Sequence, residues 1–156
     1  MACARYGVRN PAGPQMTEHK GIKILFIAGF GPITQDQAAS KKLYQSALGI
    51  DFEEMENGYV HTDKVAGVKH FALWPLEQAA ESCFGVKQWP SDLPVPHAWI
   101  EFDVEDVAAA TEALTQQGYT FLVSNRTEPW GQTVSRFLDP DGTLVGFTFT
   151  PWMRTH

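Results

Sequence analysis

Residues 97–151 repeat the plan of residues 22–75, and that internal duplication restricts the folds open to this chain more than any other feature. The second stretch begins with the alternating run His97-Ala-Trp-Ile-Glu-Phe-Asp103. It continues through a helical segment from Asp106 to Gln117 and closes on Asp139-Pro-Asp-Gly-Thr-Leu-Val-Gly-Phe-Thr-Phe149. The first stretch echoes it: Asp36, Ala38 and Ala39 match Asp106, Ala108 and Ala109, and Gly49-Ile-Asp-Phe52 matches Gly118-Tyr-Thr-Phe121. Both copies end on Phe-x-x-x-Pro, at Phe71–Pro75 and Phe147–Pro151. A pair of copies makes a pseudo-two-fold unit, because a solenoid needs three or more repeats to bury its faces.

Each copy reads as strand, helix and three further strands. In the first, the apolar run from Ile22 to Ala28 is a strand closed by Gly29 to Thr34. Asp36 then accepts from the free N–H groups of a helix expected to bury Ala39, Leu43 and Ala47, and Gly49 ends that helix in a left-handed conformation. Segments 51–56 and 59–62 pair around Asn57-Gly58, a dipeptide that tolerates positive φ in a tight hairpin, and 68–74 is the last strand of the copy. In the second, Asp103 or Asp106 caps a helix whose apolar stripe is Val107, Ala110 and Leu114, and Gly118 stops it. The fold class is therefore α+β, with βαβββ modules at 21–75 and 97–152 and a linker at 76–96 that is helix-like over Leu76–Phe84. Residues 1–20 carry Pro11, Gly13 and Pro14 and are expected to be a loose tail, with Met16 an alternative start.

A chain of 156 residues suits one domain or two fused half-domains. The formal charge is −6 and Lys41-Lys42 is its only basic cluster, which speaks against nucleic acid and anionic membranes and favours a neutral or cationic small molecule. Cys3 and Cys83 have no metal-knuckle or disulfide spacing, so a reducing cytoplasm is the expected location. No apolar run approaches the roughly 18 residues that span a bilayer, and residues 1–20 lack a signal peptide's apolar centre.

The repeated βαβββ unit, the helix-ending Leu48-Gly49, the Pro129-Trp-Gly131 loop and the Asp139-Pro-Asp-Gly142 turn together resemble the vicinal oxygen chelate superfamily. That group holds glyoxalases, bleomycin-resistance proteins and extradiol dioxygenases, and the likeness covers about residues 22–152. It implies modules whose sheets form a cupped cleft with the ligand inside, and frequent homodimers. It also implies metal ligands, usually His, Gln and Glu, at repeat-related positions on the first and fourth strands of each module. Placed on this sequence, those positions fall near Phe26 and at His70, Trp99 and Gly146. A single imidazole does not hold a divalent ion against water, so the usual metal site is expected to be missing and no cofactor is expected. His97 and Glu101 share a face of their strand but lie roughly 13 Å apart. That is too wide for one metal, yet suited to opposite ends of an organic ligand with Trp99 between them.

Candidate proton-moving groups are His70, whose ordinary pKa lies near neutral, and Glu101, which is either solvated at the rim or desolvated enough to act as a base. Candidate binding residues are Trp99, Trp74, Trp130, His97, Arg136 and Phe26, since aromatics at strand ends and loops often line apolar clefts. Arg136 reads either as a ligand clamp or as a surface arginine beside Asp139, because the alternation of 133–138 leaves its face open. The resulting function is a glyoxalase/bleomycin-resistance-like protein that binds a small aromatic or cationic molecule in an apolar cleft without a metal. The alternative is a metal-dependent lyase or isomerase of glyoxalase type, in which a divalent ion polarises an enediolate oxygen while a carboxylate moves the proton. A third reading is a dimeric module with a vestigial cup.

Overall fold

The computed structural model describes residues 17–154, so most of the tail expected at 1–20 lies outside the described residues. Its described end is not loose: Thr17–His19 (β1) pairs antiparallel with Ile22–Thr34 (β2). The first module continues with a helix at Gln37–Lys41 (α1), which passes into a π-helical turn at Lys42–Ala47. Glu53–Glu54 (β3), Val60–Thr62 (β4) and Phe71–Pro75 (β5) follow. The linker supplies the helix Leu76–Phe84 (α2), as its composition implies. The second module is Ala98–Val104 (β6), Val107–Gln116 (α3), Val123–Thr127 (β7), Thr133–Leu138 (β8) and Leu144–Phe149 (β9).

All strands join one mixed sheet in the order β3-β4-β5-β2-β6-β9-β8-β7, with β1 added against β2. Within each module the first and last strands run parallel, β2 with β5 and β6 with β9. The modules meet along the antiparallel β2–β6 seam, so they pair within one chain around a pseudo-two-fold. Alternation along β6 divides the core: Phe102 packs with Val104, Val107, Ala110 and Phe147 beneath α3, whereas Trp99 joins Ile33, Ala72, Ala79, Ala80 and Leu144 on the side covered by α2. No helix among the described residues is long and apolar enough to cross a membrane.

Several local expectations hold. The Asp106 carboxylate accepts from the Ala109 N–H at 3.0 Å and caps α3, and Gly118 adopts a φ of +95° past its end. Asp103, the other cap candidate, is instead fully buried against Arg154 and Thr148.

Others need correction. The hairpin around Asn57-Gly58 forms, but only Gly58 has positive φ. Gly58 N–H donates to Met55 C=O and Met55 N–H to Tyr59 C=O, which is a three-residue loop with a glycine bulge and not the tightest hairpin turn. The first helix does not bury Ala39, Leu43 and Ala47, all of which are exposed. Leu48 N–H donates to Leu43 C=O, an i→i+5 bond that widens the helix and rotates its last turn away from a 3.6-residue stripe. Tyr44 is the residue that turns inward, onto the cluster of Phe52, Val60 and Leu73. Finally, β2 does not stop at Gly29 but runs to Thr34.

Candidate functional site

One face of the sheet, closed over by α2 and by the loops around Trp130 and Trp152, encloses a cavity of ≈ 580 Å³. The β2–β6 seam lies at its floor. Gly29 is in register with Glu101 across the seam and Gly31 with Trp99. On one side, Phe71 is in register with Phe30, which places His70 beside Gly29. On the other, Glu101 is in register with Gly146, and Gly146 with Arg136. A single lateral row therefore reads His70, Gly29, Glu101, Gly146, Arg136.

This row corrects the positions counted along the sequence. Phe26 and Trp99 stood at the first-strand positions, but the row passes through Gly29 and Glu101. Bulges in β2 between Ile24 and Phe26 and between Ile27 and Gly29 put simple alternation out of step. The two glycines are part of how the floor is filled. A Cβ on Gly29 would lie 2.6 Å from Cζ3 of Trp99, and a Cβ on Gly146 would lie 3.0 Å from Cγ of Glu101. The space that a ligating side chain would need at each position is thus occupied by a neighbour from β6. His70 and Glu101 are the donors left in the row. Among the described residues no group of three or more His, Cys, Asp and Glu converges as a metal site, and the two donors in the row are fewer than the three or four protein ligands that hold a divalent ion.

Arg136, whose face alternation left open, is 5% exposed and points into the cleft, away from any role beside Asp139. Its guanidinium donates to Ser82 Oγ at 2.7 Å and to Glu101 Oε1 at 3.4 Å, and it lies 5.2 Å from the centre of the Trp74 ring. Burial pushes the Glu101 carboxyl above the ordinary carboxylate range, and the Arg136 charge opposes that shift. On the other side, the Tyr59 hydroxyl and His70 Nε2 are hydrogen-bonded at 2.7 Å, and the His61 ring stacks on His70 at 5.1 Å. Burial, with His61 adding to it, lowers the His70 pKa to about 4. Burial also raises the Tyr59 pKa, so near neutral pH both groups are uncharged.

A stability consequence follows for His70. Its folded pKa lies below the ordinary histidine value near 6.5, so the unfolded chain binds the extra proton first and stability falls as pH drops from about 6.5 towards 4. His70→Gln should flatten that limb, removing a loss of about 2 kcal/mol between pH 7.5 and pH 5. Urea midpoints of both proteins at those pH values measure it, and identical slopes would show that His70 is not desolvated.

Trp74 packs edge-on against Trp99 at 5.8 Å, and Trp130 and Trp152 stand exposed at the mouth. Trp89 is core, with its indole N–H on Pro94 C=O. The cleft thus brings together His70, Trp74, Trp99, Glu101, Trp130 and Arg136 from the sequence-based set. It does not include Phe26, which carries Lys69 Nζ 4.2 Å from its ring centre, nor the exposed His97. Sequence reasoning missed Tyr59, His61, Gln132 and Ser82, which also line it. The repeat held the signal for two of these: β4 is the counterpart of β8, and alternation around buried Val60 and Thr62 turns Tyr59 and His61 to the other face.

The sequence matches the Glyoxalase/Bleomycin resistance protein/Dioxygenase superfamily over residues 27–147, and the chain belongs to that superfamily. Solved structures share the fold at low identity. A variant of Streptomyces coelicolor methylmalonyl-CoA epimerase in complex with 2-nitronate-propionyl-CoA is 18% identical, with 82% of this chain and 99% of that one covered and a TM-score of 0.53. A Vibrio splendidus 12B01 member of the superfamily is 16% identical, covering 78% and 96%, with a TM-score of 0.51. A Legionella pneumophila protein described as an NAD-dependent benzaldehyde dehydrogenase is 14% identical, covering 77% and 96%, with a TM-score of 0.52. A search of curated proteins found no match. The names attached to these neighbours differ in chemistry, so the likeness carries the fold and the function must be argued from the cleft.

Proposed function

We propose that this chain binds a small planar aromatic molecule by stacking inside the cleft, without a resident metal ion. The observation that carries the reading is the lateral row on the floor, where Gly29 and Gly146 stand among the strand positions that would have to supply ligands and Trp99 and Glu101 fill the space above them. Four indoles, those of Trp74, Trp99, Trp130 and Trp152, line the walls and mouth. Large rigid aromatic faces favour flat ligands, which stack in offset or edge-to-face geometry with little entropy lost. The cationic class has less support, because Arg136 faces Glu101 and burial favours the carboxyl's neutral form.

Two measurements test the reading together. Titration with flat aromatic compounds should quench the tryptophan fluorescence in a saturable way, and the same affinity should persist after exhaustive chelation. Protein equilibrated with nickel, zinc, manganese or ferrous iron should retain well under one ion per chain after gel filtration. A stoichiometric ion would overturn the reading in favour of the alternative, a metal-dependent lyase or isomerase. Absence of saturable quenching by any flat compound would remove the binding reading.

A further inference from the structure

The linker helix α2 contributes a side chain to the cleft that neither module supplies. Ser82 lines the cavity, and two guanidiniums converge on its oxygen: Arg136 Nη1 at 2.7 Å and Arg126 Nη2 at 3.1 Å. A hydroxyl has two acceptor sites and one proton. With both acceptor sites taken by N–H groups, the proton is what Ser82 has left to offer, and the two cations beside it make that O–H a stronger donor.

The charges around this hydroxyl are unevenly balanced. Arg126 gives Nε and Nη2 to a single Glu128 oxygen at 2.9 and 2.7 Å, the distances of well-made charged bonds. Arg136, although almost wholly buried, reaches Glu101 by one contact of 3.4 Å, longer than such bonds usually are. Trp74 holds the guanidinium from one side but accepts no proton from it. The corner therefore keeps N–H and O–H donors that its own acceptors leave poorly matched, with Glu81 of α2 as a further carboxylate on the cavity wall.

We propose that the ligand carries an oxyanion, and that Ser82 and Arg136 receive it at the inner corner of the cleft while its aromatic body stacks among the tryptophans. This rests on the aromatic-binding reading above and narrows it to a chemical class, a flat aromatic acid. Ser82 is then a specificity-determining residue, and Arg126 positions it without touching the ligand. The offset between the overall charge of −6 and an anionic ligand is no obstacle, since the local donors act at contact distance and the net charge is screened beyond about 8–10 Å.

Calorimetric titration of the full chain at pH 7.5 with 2-naphthoate, 2-naphthamide and 2-naphthylmethylammonium separates the possibilities. The naphthoate should bind on the order of tenfold or more tighter than the isosteric amide, with the ammonium weakest, as expected for hydrogen bonds to a charged group. Ser82→Ala should bring naphthoate to within about twofold of the amide, and Ser82→Thr, which keeps the hydroxyl, should restore most of the preference. The wild-type comparison decides the matter even if Ser82→Ala does not fold. Equal affinities for all three would overturn the oxyanion seat and leave aromatic stacking standing. The tightest binding by the ammonium would overturn it in favour of a cation site. If none of the three binds, the aromatic reading and this inference fall together, and that outcome is distinct from the other two.

Discussion

Gly31→Val is expected to prevent the chain from folding to its native sheet. A Cβ at Gly31 would lie 1.8 Å from the carbonyl oxygen of Ala72, 2.9 Å from its carbonyl carbon and 3.2 Å from its nitrogen. All three are backbone atoms of β5, so no rotamer change relieves the contact. The only escape is to move β5 away from β2, which breaks the parallel pairing of Phe30 with Phe71 and Ile33 with Trp74. That pairing joins the inner strands of the first module and places His70 on the cleft floor. A cost of at least about 4 kcal/mol follows from overpacking a fully buried backbone contact with a branched side chain, which is a large part of a small domain's total stability. Soluble yield, far-ultraviolet circular dichroism and the thermal midpoint test it. A variant melting within a few degrees of the parent would show that β5 does not approach β2 as closely as the geometry has it.

The same glycine explains what the sequence made legible and what it hid. Residue patterns that recur at two levels were readable: the duplication gave the βαβββ modules, Asp106 and Gly118 bracketed α3, and Leu76–Phe84 stood out as a helix in the linker. From sequence alone Gly29 and Gly31 mark the end of a strand, because glycine most often signals a turn. In the fold neither has positive φ, and both sit in extended backbone where another chain element comes close. A single sequence records the missing Cβ but not the Trp99 ring or the Ala72 carbonyl that uses the space. The bulges in β2 were equally hidden, and they moved the cleft floor from Phe26 to Gly29. The π-helical turn at Lys42–Ala47 did the same to the first helix, exchanging Leu43 for Tyr44 as the inward residue. Ser82 and Arg126 were out of reach for a different reason: they meet over 44 residues of sequence, and neither lies in a motif.

Arg136→Met should be the most damaging substitution that leaves the backbone undisturbed, and its cost should depend on pH. Methionine fills much of the arginine's length, so loss of packing against Trp74 is small and loss of charge dominates. Glu101 would then sit beneath the cleft with no guanidinium, and removing one partner of a buried ion pair costs about 3–5 kcal/mol when the other stays charged. Burial already raises the Glu101 pKa and Arg136 lowers it, so taking Arg136 away raises it further. A carboxyl whose folded pKa exceeds its unfolded one binds more protons when folded, so its contribution to stability is complete below the unfolded value near 4.3 and is lost as pH rises through the folded value. The variant should therefore fall short of the parent by about 3 kcal/mol or more at pH 8 and by distinctly less at pH 5. Adding Glu101→Gln should recover most of the deficit at pH 8, because no unpaired charge remains. Urea denaturation of the parent, the single variant and the double variant at both pH values supplies the comparison. A deficit that does not change with pH, or no recovery in the double variant, would mean that Arg136 acts through its packing on Trp74 and its hold on Ser82 alone. In that event the charge at Glu101 is already absent in the parent, and Arg136 offers its guanidinium to an oxyanion without competition from that carboxylate.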